Sequence, residues 1–201
     1  VLFTSCVKEQ PLGLNDSGSS GVDIPVNISA TYPTPEATTR ADDNGFSIKD
    51  IIGIFVVNYK SDGHVGDLES SDTYVSNVPY EFTGNLWKAP YAIYWDDHIT
   101  PADIYGYYPY NASIKTPTAY GFTINSVQDS NSPNTTAGAG YDKSDLLWAK
   151  AEKVYPTAES INLRYKHLMA GVTISLEMGT GFTEDEWSTL SKTIIVGPTQ
   201  L

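Results

Sequence analysis

Apolar and polar residues alternate with a period of two along much of this chain, and the helical period of 3.6 is almost absent. Ile24-Pro25-Val26-Asn27-Ile28-Ser29-Ala30-Thr31-Tyr32 is the first such stretch and predicts a half-buried strand. Pro25 offers no amide hydrogen, so the strand should start there or lie at an edge. Pro33, Pro35 and the threonine-rich run to Arg40 end it, and Asp42-Asp43-Asn44-Gly45 predicts a turn. Ile51 through Tyr59 is a dense β-branched run, the pattern of a central strand. Ser61-Asp62-Gly63-His64 reverses the chain. Tyr74 to Phe82 alternates again, with Val75, Val78, Tyr80 and Phe82 as its apolar positions.

Shorter pieces follow. Leu86-Trp87 and Ala92 to Trp95 predict short aromatic strands, and Ala102 to Tyr110 another that Pro109 ends. Gly121 to Asn125 predicts a short strand, and 129–141 a long exposed loop. Leu146 to Ala151 is compatible with helix or strand. Ile161 to Leu168, Gly171 to Glu177 and Thr193 to Gly197 predict the last strands. The one helical signal is Thr183-Glu184-Asp185-Glu186-Trp187, where acids follow a candidate N-cap. Many short strands separated by turns argue an all-β sandwich.

Composition narrows the function. With 201 residues the chain suits one large β domain, and 40% hydrophobic residues suffice for a core. The net charge is 12 − 24 = −12. Such a surface repels a phosphate backbone, so no nucleic-acid partner is expected. No run of 18 apolar residues exists, so no helical membrane span is expected.

Cys6 is the only cysteine, which excludes an internal disulfide. Val1-Leu2-Phe3-Thr4-Ser5-Cys6 runs from apolar through small residues to the thiol, like the tail of a lipoprotein signal peptide. Phe3, rather than the usual leucine, stands three residues before Cys6. On this reading Cys6 is lipidated and acyl chains hold the protein to a membrane; the alternative is a buried free cysteine. Residues 7–22 are rich in Ser, Gly, Asn and Asp and read as a flexible tether. The expected organisation is therefore a signal-peptide remnant at 1–6, a tether at 7–22 and a β domain at 23–201. The strong strand so near the last residue suggests that the domain is truncated before a C-terminal one.

Candidate chemistry is sparse. Trp95-Asp96-Asp97-His98 sets two carboxylates beside an imidazole, but Asp-Asp ahead of Pro101 reads more simply as a turn. The three histidines have no metal-ligand spacing, and no phosphate loop or nucleophile elbow occurs. No catalytic residue, metal or cofactor is expected. Tyr105, Tyr107, Tyr108 and Tyr110 crowd one strand: Tyr105 and Tyr107 share one face, Tyr108 and Tyr110 the other. One set could be core and the other exposed for stacking or interface contacts.

Several segments together resemble the fimbrillin-like proteins of the Bacteroidetes. They are Thr39-Arg40-Ala41, Phe46 to Phe55 (F-x-x-x-D-x-I-G-I-F), Ile104 to Tyr110 with its Tyr-Pro-Tyr end, Asp145-Leu146-Leu147-Trp148-Ala149, and Leu163-Arg164-Tyr165-Lys166-His167. The resemblance implies a Greek-key, transthyretin-like β-sandwich and a structural, adhesive or accessory role in surface fimbriae at the cell outer membrane. It implies export as a lipoprotein anchored through Cys6 and proteolytic processing between Arg40 and Ala41. It further implies donor-strand complementation with other fimbrial subunits, the strand from Ile24 to Tyr32 being the piece removed. A host protein or glycan would be a further partner. The alternatives are that Arg40 is an ordinary loop arginine, and that the chain is a lipid-anchored carbohydrate-binding module of a glycan uptake system.

Overall fold

The computed structural model describes residues 23–33, 45–114, 117–124, 143–169 and 177–189. Among these the chain is all-β, as the alternation predicts. Its strands are β1 (Asn27–Thr31), β2 (Ile51–Asn58), β3 (Thr73–Phe82), β4 (Trp87–Lys88), β5 (Ala102–Tyr108), β6 (Leu147–Val154), β7 (Ser160–Arg164) and β8 (Lys166–His167). One short helix, α1 (Glu184–Thr189), and one 3-10 turn complete the elements. Thr183 and Glu186 exchange hydrogen bonds across the first turn of α1, which is the expected N-cap made reciprocal.

The strands form a six-stranded sheet in the order β4-β3-β2-β5-β6-β8 and a pair, β1-β7. The large sheet is antiparallel throughout, whereas β1 and β7 run parallel. Ile52, Ile54 and Val56 of β2, Ile104 of β5 and Leu147 of β6 line one face of the large sheet and are fully buried. Val26, Ile28, Ile161 and Leu163 of the small pair complete the core beneath them.

Three expectations need correction. Ile161 to Leu168 is not one strand: the chain leaves the small pair at Tyr165 and re-enters the large sheet as β8, where His167 pairs with Leu147. Burial of the Tyr165 ring in the core makes this corner. Residues 121–124 form no strand; Tyr120 and Phe122 instead stack edge-on near Tyr107. Ala92 to Trp95 contributes only a single bridge, Pro25 to Tyr94. Leu146 to Ala151 resolves as strand. The segments expected as strands at 171–176 and 193–197, and the loop at 129–141, lie outside the described residues.

The outer face of the large sheet is also covered. Tyr107 lies flat over Gly53, so that a Cβ on Gly53 would stand 2.0 Å from Tyr107 Cε1. The Tyr107 hydroxyl donates to Asn77 Oδ1 at 2.7 Å and accepts from the Asn111 amide at 3.1 Å. Asn77 reaches this place because its backbone bulges out of β3 at φ 50°. Tyr107 is therefore buried rather than displayed, and Tyr105 is half-buried.

Candidate functional site: the seat of the first strand

Ile24, Val26, Ile28, Ala30 and Tyr32 all turn to the core, as period-two alternation requires, while Asn27, Ser29 and Thr31 face outward. Burying Val26 and Ile28 stabilises the fold by roughly 1.5–3 kcal/mol each. The segment is held on one side along its first residues and on the other along the rest. The Val26 amide donates to Ile93 O and the Trp95 amide to Ile24 O, each at 2.9 Å. Beyond them Asn27 to Thr31 pairs with Ser160 to Arg164, and the Tyr165 amide donates to Thr31 O at 3.0 Å. Bonds from residues of opposite parity leave a strand on opposite sides, so the first strand lies between 93–95 and β7.

Pro25 lies just before β1, as expected, with its nitrogen turned away from 93–95. It opposes Tyr94 as the pair without mutual hydrogen bonds, where a missing amide hydrogen costs nothing. From below, the Tyr80 hydroxyl donates to Val26 O at 3.3 Å. Burial pushes the Tyr80 hydroxyl up to about 12, so it remains a neutral donor at every physiological pH.

The seat ends in an aromatic socket around Tyr32. Its ring meets Phe46 edge-on at 5.0 Å and His167 at 5.8 Å. Phe46 in turn contacts Trp87, Tyr108 and Tyr165. The Tyr32 hydroxyl donates to Asp145 Oδ2 at 3.3 Å. Asp145 is buried, and His167 Nδ1 lies 2.8 Å from the same oxygen. Asp50 Oδ1 accepts from the Tyr108 hydroxyl at 3.2 Å, which fixes that wall.

A second buried carboxylate lies on the outer face. Asp103 is 1% exposed and bonds Lys150 Nζ at 2.9 Å and the Lys153 amide at 2.8 Å. Burial pushes the Asp103 carboxyl up, and the Lys150 ammonium and Lys153 amide outweigh it, holding the carboxyl below the usual range.

Of the residues singled out from sequence, Cys6, Arg40 and Ala41 lie outside the described residues. Asp96, Asp97 and His98 do not converge on a site. Asp97 Oδ1 accepts from the amides of Ile99 and Thr100, which closes a turn, and Asp96 accepts from Asn58. No cluster of three metal-ligating side chains occurs among the described residues. The Asp145–His167–Tyr32 and Asp103–Lys150 groupings were not expected. Asp145 opens one of the segments quoted above and His167 closes another, which was the available signal.

The fold is thus an all-β frame whose apolar seat is filled by the chain's own first strand. The chain belongs to the fimbrillin-like family, whose profile matches residues 39–196. That span begins after β1 and includes its seat. A candidate fimbrium tip subunit, Fim1C, of Bacteroides ovatus (strain ATCC 8483) is 27% identical over 158 residues. The match covers 70% of this chain and 26% of that protein, so the chain spans about a quarter of the curated relative's length. Two solved structures are similar. A candidate cell adhesion protein of Bacteroides uniformis ATCC 8492 is 20% identical with a TM-score of 0.46, over 71% of this chain and 47% of its own. A second, of Bacteroides ovatus ATCC 8483, is 18% identical with a TM-score of 0.49, over 73% and 53%.

Proposed function

We propose that this chain is a structural or adhesive accessory subunit of bacterial surface fimbriae, without catalytic function, and that it joins other fimbrial subunits by strand exchange. The observation that carries the reading is the seat of Ile24–Tyr32. Five inward side chains occupy an apolar groove, and the strand holding them precedes the family-matched span. Withdrawing that strand exposes the groove and the free backbone of β7. An extended segment of a neighbouring subunit then fills both, through ladder hydrogen bonds and side-chain pockets. The Greek-key, transthyretin-like topology belongs to this proposal.

Cleavage between Arg40 and Ala41 is the step that frees the strand. The chain has two arginines, Arg40 and Arg164. Arg164 sits in β7, paired to Thr31, and paired backbone resists proteolysis. An Arg-specific protease is expected to cut first after Arg40, read by mass spectrometry of the early fragments. A first cut after Arg164 counts against the proposal.

Lipidation of Cys6 anchors the protein at the outer membrane, and residues 7–22 lift the domain off it. Cys6→Ala in cells that export the protein is expected to move it from the membrane fraction to the soluble one. Unchanged retention removes the anchor.

The carbohydrate-binding alternative calls for a flat row of exposed aromatic rings. Tyr107 is instead folded onto Gly53 beside a hollow of about 230 Å³ between Phe55, Tyr120 and Trp148. The strand seat is the better-supported feature.

A further inference from the structure

The seat treats its five inward positions unequally. Four of them, at Ile24, Val26, Ile28 and Ala30, are met by apolar side chains and by backbone bonds that any residue can make. The fifth, at Tyr32, is met by an aromatic enclosure with a buried carboxylate at hydroxyl distance. The enclosure is assembled from separate parts of the sheet: Phe46 before β2, Asp145 before β6, Tyr165 after β7 and His167 in β8. Tyr108 at the end of β5 backs Phe46, held in turn by Asp50.

We infer that this socket selects the segment that replaces the first strand. The incoming strand is an alternating apolar segment, running parallel to β7, that ends in a hydroxyl-bearing aromatic side chain at the position of Tyr32. The inference rests on the strand-exchange reading and adds a specificity to it.

The physical argument is one of mismatch. A phenylalanine fills the enclosure but brings no donor to Asp145 Oδ2, and a buried acceptor that loses a donor costs more than an exposed one. A small residue leaves the faces of Phe46 and His167 uncovered, so it loses ring contacts as well. At the other four positions aliphatic exchanges of similar volume are tolerated. Discrimination therefore concentrates at the fifth.

The test uses the full chain cut after Arg40 and labelled peptides with the sequence of residues 23–33. One peptide carries the native tyrosine, one Tyr32→Phe and one Tyr32→Ala; a fourth carries Ile24→Val as a control. Entry is read by fluorescence anisotropy and by displacement of the original strand in native mass spectrometry. The tyrosine and Ile24→Val peptides are expected to bind alike. The phenylalanine peptide should bind about 10-fold more weakly, and the alanine peptide about 100-fold or more. Equal entry of the tyrosine, phenylalanine and alanine peptides overturns the socket and leaves strand exchange standing. Entry of none of the four overturns both. Entry of tyrosine and phenylalanine alike, with alanine excluded, removes the role of Asp145 and so overturns selection by the hydroxyl.

Discussion

Gly53→Ala is expected to lower stability by roughly 3 kcal/mol, the upper end of what overpacking costs, and Gly53→Val to prevent folding. The reason is geometric. The new methyl group would stand 2.0 Å from Tyr107 Cε1, 2.5 Å from Cζ and 2.8 Å from the hydroxyl oxygen. Tyr107 cannot swing aside without breaking its bonds to Asn77 and Asn111, which tie β5 to the bulge in β3. Both faces of β2 are buried, so the backbone has no room to shift outward. Urea unfolding measures the effect. Because the two sites touch, a double-mutant cycle with Tyr107→Ala should show strong coupling, the alanine at Gly53 costing little once the ring is gone. An unchanged midpoint for Gly53→Ala would refute this account of the glycine.

The second large effect concerns Asp103. Lys150→Met strips the ammonium from a carboxylate that is almost wholly buried, and breaking such a pair costs about 3 kcal/mol at neutral pH. The sign of the pH dependence follows from the direction of the shift. In the native protein the Asp103 carboxyl titrates below its unfolded value. The pair's contribution is therefore fully present above about pH 4 and falls away as pH drops through the lower, folded-state value. In Lys150→Met the carboxyl loses the ammonium that holds it low while its burial remains, so it titrates higher than in the native protein and acid relieves the cost. The stability difference between native and variant should thus shrink steadily as pH falls from 7 toward 4. A difference that stays constant or widens over that range contradicts the assignment.

Much of the frame was legible in the residue pattern. The β-branched run from Ile51 made a central strand because both its faces needed cover, and Ile24 to Tyr32 alternated because one of its faces did. Pairing across long chain separations was not legible. Nothing in Asn27 to Thr31 says that it runs parallel to Ser160 to Arg164. Pro25 placed the start of the strand, because a residue without an amide hydrogen fits where the ladder has not yet begun. Asp103 sits in an apolar strand and Lys150 in another; only the register of β5 against β6 makes them partners. The aromatic crowding at Tyr105 to Tyr110 left open which set was buried. Tyr108 entered the core on one face, and Tyr107 was buried on the other by the absence of a side chain at Gly53. The quoted segments carried more than their likeness suggested, since Phe46, Asp145 and His167 meet Tyr32, and Tyr108 and Tyr165 back Phe46, with Asp50 holding Tyr108.

Whether the first strand leaves its seat can be measured with a removable lock. Ser29 and Asn162 are paired residues on the outward side of β1 and β7, a spacing a disulfide can bridge. In a Cys6→Ser background, Ser29→Cys with Asn162→Cys gives a chain whose first strand is fixed when oxidised and free when reduced. After cleavage at Arg40, the labelled native-sequence peptide should enter the reduced protein and be excluded from the oxidised one, with reductant restoring entry. Equal entry into both forms, or entry into neither, would contradict strand exchange at this seat.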